Sequence, residues 1–248
     1  MTRTVLLTAT LMTLAAMMLP PAADANPPAY FGPMNNVYGV TVPAQKFRVG
    51  LRAAYNTTGS FVAPMLGVQY GLTDKLEAGL TSGMAVGGLG TATVAGSVDT
   101  VSTWLKYQFI PTGPVTVSML AGGTFPMTAG GMASGGLTGI VGFPNPVVNV
   151  TLNAGFGPNY RWTPATYVVG QGYTFNVGLD RSLTPLLTLI GEGFIAGNLG
   201  VAPGFGERVG LLAHWSPDLF SDLSIRATQD TGTGVAVYSP TLGTTWTF

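Results

Sequence analysis

From Lys46 onward apolar and polar residues alternate along the chain. KFRVGLRAAY sets Phe47, Val49, Leu51, Ala53 and Tyr55 on one face against Arg48, Gly50 and Arg52 on the other. PVVNVTLNAGF sets Val148, Val150, Leu152, Ala154 and Phe156 against Asn149, Thr151, Asn153 and Gly155, and YTFNVGLD repeats the pattern from Tyr173 to Asp180. A period of two over such lengths is that of a strand with one apolar and one polar face. Two kinds of connector take turns between these runs. The tight kind is LTDK (72–75), IPTGP (110–114), FPNP (143–146), SLTP (182–185) and SPDL (216–219); four of the five hold proline, which marks turns because it cannot donate inside a central strand. The looser, glycine-rich kind lies around 56–60, 87–96, 127–135, 157–167, 197–205 and 229–234. Five tight turns and six loops predict twelve strands (ten to fourteen being compatible with the pattern): 46–56, 61–72, 75–86, 97–110, 114–126, 135–143, 146–157, 167–181, 185–197, 205–215, 218–229 and 235–248.

Composition says which way round these strands are built. The chain is 46% hydrophobic and only 8% charged, against about 25% charged in an ordinary soluble domain. After the first 25 residues no run is long and apolar enough for a membrane helix, and 36 glycines and 18 prolines oppose a helical bundle. In lipid every backbone polar group must be bonded internally, which strands achieve only as a closed barrel. Charge placement agrees. Arg48, Arg52, Glu77, Lys106, Asp180, Glu192, Arg208, Asp222 and Arg226 fall on the polar parity of strands, and the other charges after residue 25 sit at turns, loops or strand ends. A lipid-facing charge at mid-membrane costs about 2–4 kcal/mol, whereas a soluble sandwich would carry charges outside. Aromatics on the apolar parity gather at strand ends, with Phe47, Tyr107, Phe143, Trp215 and Trp246 toward the turns and Tyr55, Phe125, Phe156 and Tyr238 toward the loops, as two interfacial girdles require.

The expected organisation is a signal peptide over 1–25, an uncharged proline-rich segment over 26–45 and an all-β, transmembrane, antiparallel up-and-down barrel over 46–248. Arg3, the apolar run Val5–Leu19 and Ala23-Asp24-Ala25 give the signal its charged start, apolar core and small-x-small cleavage site. Such a chain is exported to a bacterial outer membrane, with short turns in the periplasm and longer loops outside. Segment 26–45 then precedes the first strand on the periplasmic side, as a loose leader or a plug entering the lumen.

The last strand, YSPTLGTTWTF, puts Tyr238, Leu242, Trp246 and Phe248 on one face. It resembles the C-terminal signature of bacterial outer-membrane proteins, which implies recognition of Trp246 and Phe248 by the barrel-assembly machinery. LGVQYGLTDKLEAGL (66–80) resembles a turn segment recurring in a family of outer-membrane transporters associated with meta-pathway phenol degradation. That resemblance implies a barrel moving small, hydrophobic or aromatic solutes; its physical content is a tight Asp-Lys turn between two strands, and it transfers no functional residues.

The nine polar-face charges are the candidate functional residues. Hairpin folding brings Glu77 near Lys106 and Glu192 opposite Arg208, with Arg226 beside Arg208 in an Arg–Glu–Arg group. They form either a constriction that selects solutes or an ion-pair network that fills the lumen. Gly50, Gly67, Thr116, Ser118, Thr138 and Gly178 share that face, and such small linings leave space for passage. His214 and Ser216 are the one pair suggestive of catalysis, but they open a periplasmic turn with no third group to orient the base, and His214 is expected to bond Asp222. With no cysteine, one histidine and zero net charge, no cofactor, metal cluster or nucleic-acid partner is expected. The expected partners are lipid, the assembly machinery and a small solute. The expected function is passive transport of small solutes, with a closed, salt-bridged structural barrel as the alternative.

Overall fold

The computed structural model describes residues 41–56, 61–87, 95–127, 132–162, 167–229 and 236–248. The expected signal peptide over 1–25, most of the 26–45 segment and the tips of several of the longer loops lie outside the described residues. Twelve strands form one closed antiparallel barrel: β1 (Phe47–Asn56), β2 (Phe61–Thr73), β3 (Leu76–Gly87), β4 (Ala95–Ile110), β5 (Thr116–Pro126), β6 (Met132–Phe143), β7 (Asn149–Trp162), β8 (Tyr167–Thr184), β9 (Leu187–Asn198), β10 (Gly204–Ser216), β11 (Leu219–Gln229) and β12 (Ala236–Thr247). Each strand pairs with its sequence neighbours, and β12 closes on β1 from Arg48↔Thr247 to Ala54↔Thr241. Closure leaves no row of unpaired N–H and C=O groups, the condition lipid imposes.

The short turns are closed by side-chain oxygens placed for the task. Thr73 Oγ1 accepts from the backbone N–H of Lys75 and Leu76, Thr184 Oγ1 from Leu186, Ser216 Oγ from Asp218 and Leu219, and Asn145 Oδ1 from Val147. These small polar residues mimic a backbone turn, and prolines at 144, 146, 185 and 217 stop the strands beside them. Ladder irregularities at Gly71/Thr73, Gln108/Ile110, Ser182/Thr184 and His214/Ser216 bend the strands into the same turns.

The exterior is apolar around the whole ring. Leu51 is 61% exposed, Leu223 60% and Trp215 67%, in a barrel whose inner positions include fully buried charges. This inversion is the surface of an outer-membrane barrel. Ring pairs Phe47–Tyr70 (4.4 Å), Tyr107–Phe109 (5.0 Å) and Trp246–Phe248 (4.6 Å) lie in the girdle at the short-turn end.

The strand ends lie within a few residues of the sequence expectation, and the largest difference is at the end of β7. Residues 157–162, read as the start of a loop, continue β7, with Pro158 opposite Gln171 and Trp162 opposite Tyr167. Pro158 is tolerated because the β6–β7 ladder is interrupted there, between Leu137↔Phe156 and Ser134↔Asn159. A missing N–H costs nothing where no acceptor waits.

Candidate functional site

Inside the barrel the lumen-facing residues divide into two zones. Near the short turns most lumen positions are buried: Arg48, Gly50 and Arg52 on β1, Thr116 and Ser118 on β5, Thr151 and Asn153 on β7, and most of their equivalents around the ring. Farther toward the loops the same faces become partly exposed, as at Ser102, Thr124, Gly155 and Ser239, and Thr174 is exposed; among the described residues Phe194 is the exception. Among the described residues the inner face is thus a vestibule toward the loops above a packed floor at the short-turn end.

All nine lumen charges named from the sequence lie on this inner face, and ion pairs gather five of them into two groups. Glu77 and Lys106 face each other in register, with Nζ 3.0 Å from Oε1. Glu77 is 0% exposed and accepts also from Gln69 Nε2 at 3.5 Å. The second group is a triad: Asp222 accepts from Arg52 Nη2 at 2.6 Å and from Arg208 Nη2 at 3.1 Å. Arg208 Nε donates to Ser224 Oγ at 2.8 Å. Arg52 belongs to β1 and Asp222 to β11, so their bond passes over Gly243 of β12, where a Cβ would collide with both side chains. Together with Arg48 Nε on Thr247 Oγ1 (3.2 Å), the triad bridges the seam where the first and last strands meet.

Register places Arg208 opposite both Glu192 and Arg226, as the hairpin argument expects. The hydrogen-bonded triad, however, centres on Asp222, and Arg226 lies over the Phe194 ring at 4.7 Å from its centroid. Asp180 is buried next to Arg181, which the sequence placed at a strand end and which is 4% exposed.

The expected His214–Asp222 bond does not form. Asp222 stands opposite Leu212, and His214 lies opposite Phe220 with Nε2 3.1 Å from Thr188 Oγ1. Ser216 follows a register shift and its hydroxyl accepts turn N–H groups, so the two side chains are committed to different work. Among the described residues no group of three or more metal-ligating side chains gathers.

Sequence reasoning missed two lumen aromatics. Trp104 faces inward between Lys106 and Ser102, and its indole fills the space a side chain at Gly79 would need. Phe194 lies likewise across Gly206. Their strands, β4 and β9, are five apart in a ring of twelve and so stand nearly opposite. The inward parity of both residues is legible in the alternation of their strands. Residues 41–45, the described end of the segment expected as a leader or a plug, turn into the barrel. Thr41 and Val42 are buried inside the short-turn end, where Val42 N donates to Glu77 Oε2 at 2.8 Å.

No protein-family model and no curated protein matches the chain, so the likeness to the phenol-degradation transporters rests on the β2–β3 hairpin alone. Solved structures do match. The NanC porin is similar over 80% of this chain and 98% of its own, with TM-score 0.59 and 13% identity. The KdgM porin in complex with disordered oligogalacturonate matches with TM-score 0.54 and 8% identity, over 81% of this chain and 99% of its own. The KdgM porin alone gives 0.52 and 10% over the same shares. At such identities the likeness is one of fold: this chain folds as the outer-membrane β-barrel porins do.

Proposed function

We propose that this protein is a passive, non-enzymatic channel for small solutes, whose lumen side chains set what passes. The observation that carries the reading is the division of the lumen. A barrel serving only as structure gains by filling throughout, whereas here the outer half stays open and is lined by Ser102, Thr124, Gly155 and other small residues. Trp104 stands just above the floor, partly exposed to the vestibule, and presents its indole to ring-bearing solutes, which favours aromatic molecules within that class; Phe194, on the nearly opposite wall, is buried beneath Arg226. The porins of similar fold support passage as the general task. Recognition of Trp246 and Phe248 by the assembly machinery belongs to the same proposal; both side chains are exposed on the outer face.

The closed structural barrel is favoured by one observation, the packing of the floor around the Asp222 triad. Single-channel recording of the refolded protein in a planar bilayer separates the two readings. Stepwise openings that small aromatic solutes interrupt, and sugars do not, are expected of the channel. A correctly folded barrel that stays silent, with and without the strap described next, would leave the structural reading in place.

A further inference from the structure

Five residues ahead of β1 do not leave the barrel but turn into it. Gln45 adopts φ 62°, a left-handed backbone rare outside glycine, and this reverses the chain from Lys46 back under the rim. The segment then crosses the lumen faces of three strands. Gln45 N donates to Gly71 O at 2.8 Å, and Ala44 forms a parallel bridge with Gly71 on β2. Val42 N donates to Glu77 on β3, and Thr41 Oγ1 donates to Gln108 Oε1 on β4 at 3.3 Å and to Asp74 O at 2.8 Å. Ala44 N reaches Asp74 Oδ1 at 3.3 Å. Gly71 has to be glycine for this path: a Cβ there would run into the carbonyl oxygens of Pro43 and Val42.

We propose that Thr41–Gln45 is a hatch strap lying across the periplasmic mouth of the channel. Glu77 and Gly71 hold it there, and its release opens the channel. The inference rests on the channel reading above. Three features distinguish the strap from the permanent filling around Asp222. Its hydrogen bonds to the wall land on β2–β4 and the turn between β2 and β3, on one side of the mouth only. It brings no charged side chain, so its departure strands no ion. Glu77 divides its carboxylate, with Oε1 toward Lys106 and Oε2 toward the strap, so the ion pair survives when the strap leaves and only the second oxygen must turn to water.

The test records single-channel conductance of the refolded full-length protein, of a variant lacking residues 27–44, and of Gly71→Ala, whose added methyl group displaces the strap without altering a charge. Gly193→Ala is the control, since a Cβ there meets nothing within 4 Å. Folding of each is checked by the heat-dependent shift in gel mobility of a closed barrel. A several-fold rise in conductance or open time for both the deletion and Gly71→Ala, with the control unchanged, is the expected result. Equal conductance in all four would overturn the hatch and leave the channel standing. Silence in all four overturns the hatch and the channel together. A rise on deletion alone would assign closure to residues ahead of Thr41 and overturn the anchoring at Glu77 and Gly71.

Discussion

Asp222 shows what a single residue decides in this barrel. Its carboxylate is buried and receives one guanidinium from β1 and another from β10. A paired buried charge adds little net stability, but removing one partner leaves the others uncompensated, at a cost of about 3–5 kcal/mol. Asp222→Asn should therefore destabilise the barrel by about 3–5 kcal/mol in urea unfolding from vesicles, because two buried cations lose their counter-ion. Gly243→Ala should destabilise by about 1–3 kcal/mol in the same measurement, since its methyl group collides with both Asp222 and Arg52. Trp104 belongs to this scale too. If its indole receives a ring-bearing solute, Trp104→Ala removes a contact worth about 0.5–1.5 kcal/mol and should weaken aromatic block of the channel by about two- to tenfold. The inward parity of these residues could be read from alternation. Their partners could not, because Arg52 and Asp222 lie 170 positions apart and meet across an intervening strand.

Strands are decided by which face meets lipid. Leu223, in the middle of β11, is exposed on the outer surface, while Thr174 of β8 faces the open vestibule. Leu223→Arg should cost about 2–4 kcal/mol in guanidinium unfolding from vesicles, whereas Thr174→Arg should change the midpoint little. Strand number and most boundaries were legible because the two faces meet solvents of opposite character at every second residue. The end of β7 was not. Gly157-Pro158 has the composition of a loop, and only the interrupted β6–β7 ladder shows why proline fits within a strand there. The His214–Asp222 expectation failed for a related reason. Register, with its shift at His214/Ser216, puts Asp222 opposite Leu212 instead, and a displacement of two residues changes every partner on a face.

For the whole molecule, the division between floor and vestibule governs both stability and passage. The ladders close around the whole ring, broken between β6 and β7 near Pro158, yet side-chain packing backs them mainly near the short turns. Local opening follows packing as well as hydrogen bonding, so amide exchange in vesicles should be slower in the short-turn half of each strand than in the loop half. Uniform protection along the strands would argue that the lumen filling contributes nothing to rigidity.

The sequence by itself determined the class of fold, the orientation of the strands, the lipid-facing surface and the set of inward charges. Those properties follow from the local requirement that each residue suit the medium its face meets, and alternation records that requirement one position at a time. Only the tertiary structure decided which charges join, where the lumen is filled and where the segment before β1 goes. These depend on distances between strands far apart in the chain, on glycines such as Gly71 and Gly243 whose missing side chains let other groups cross, and on the diameter at which twelve strands close.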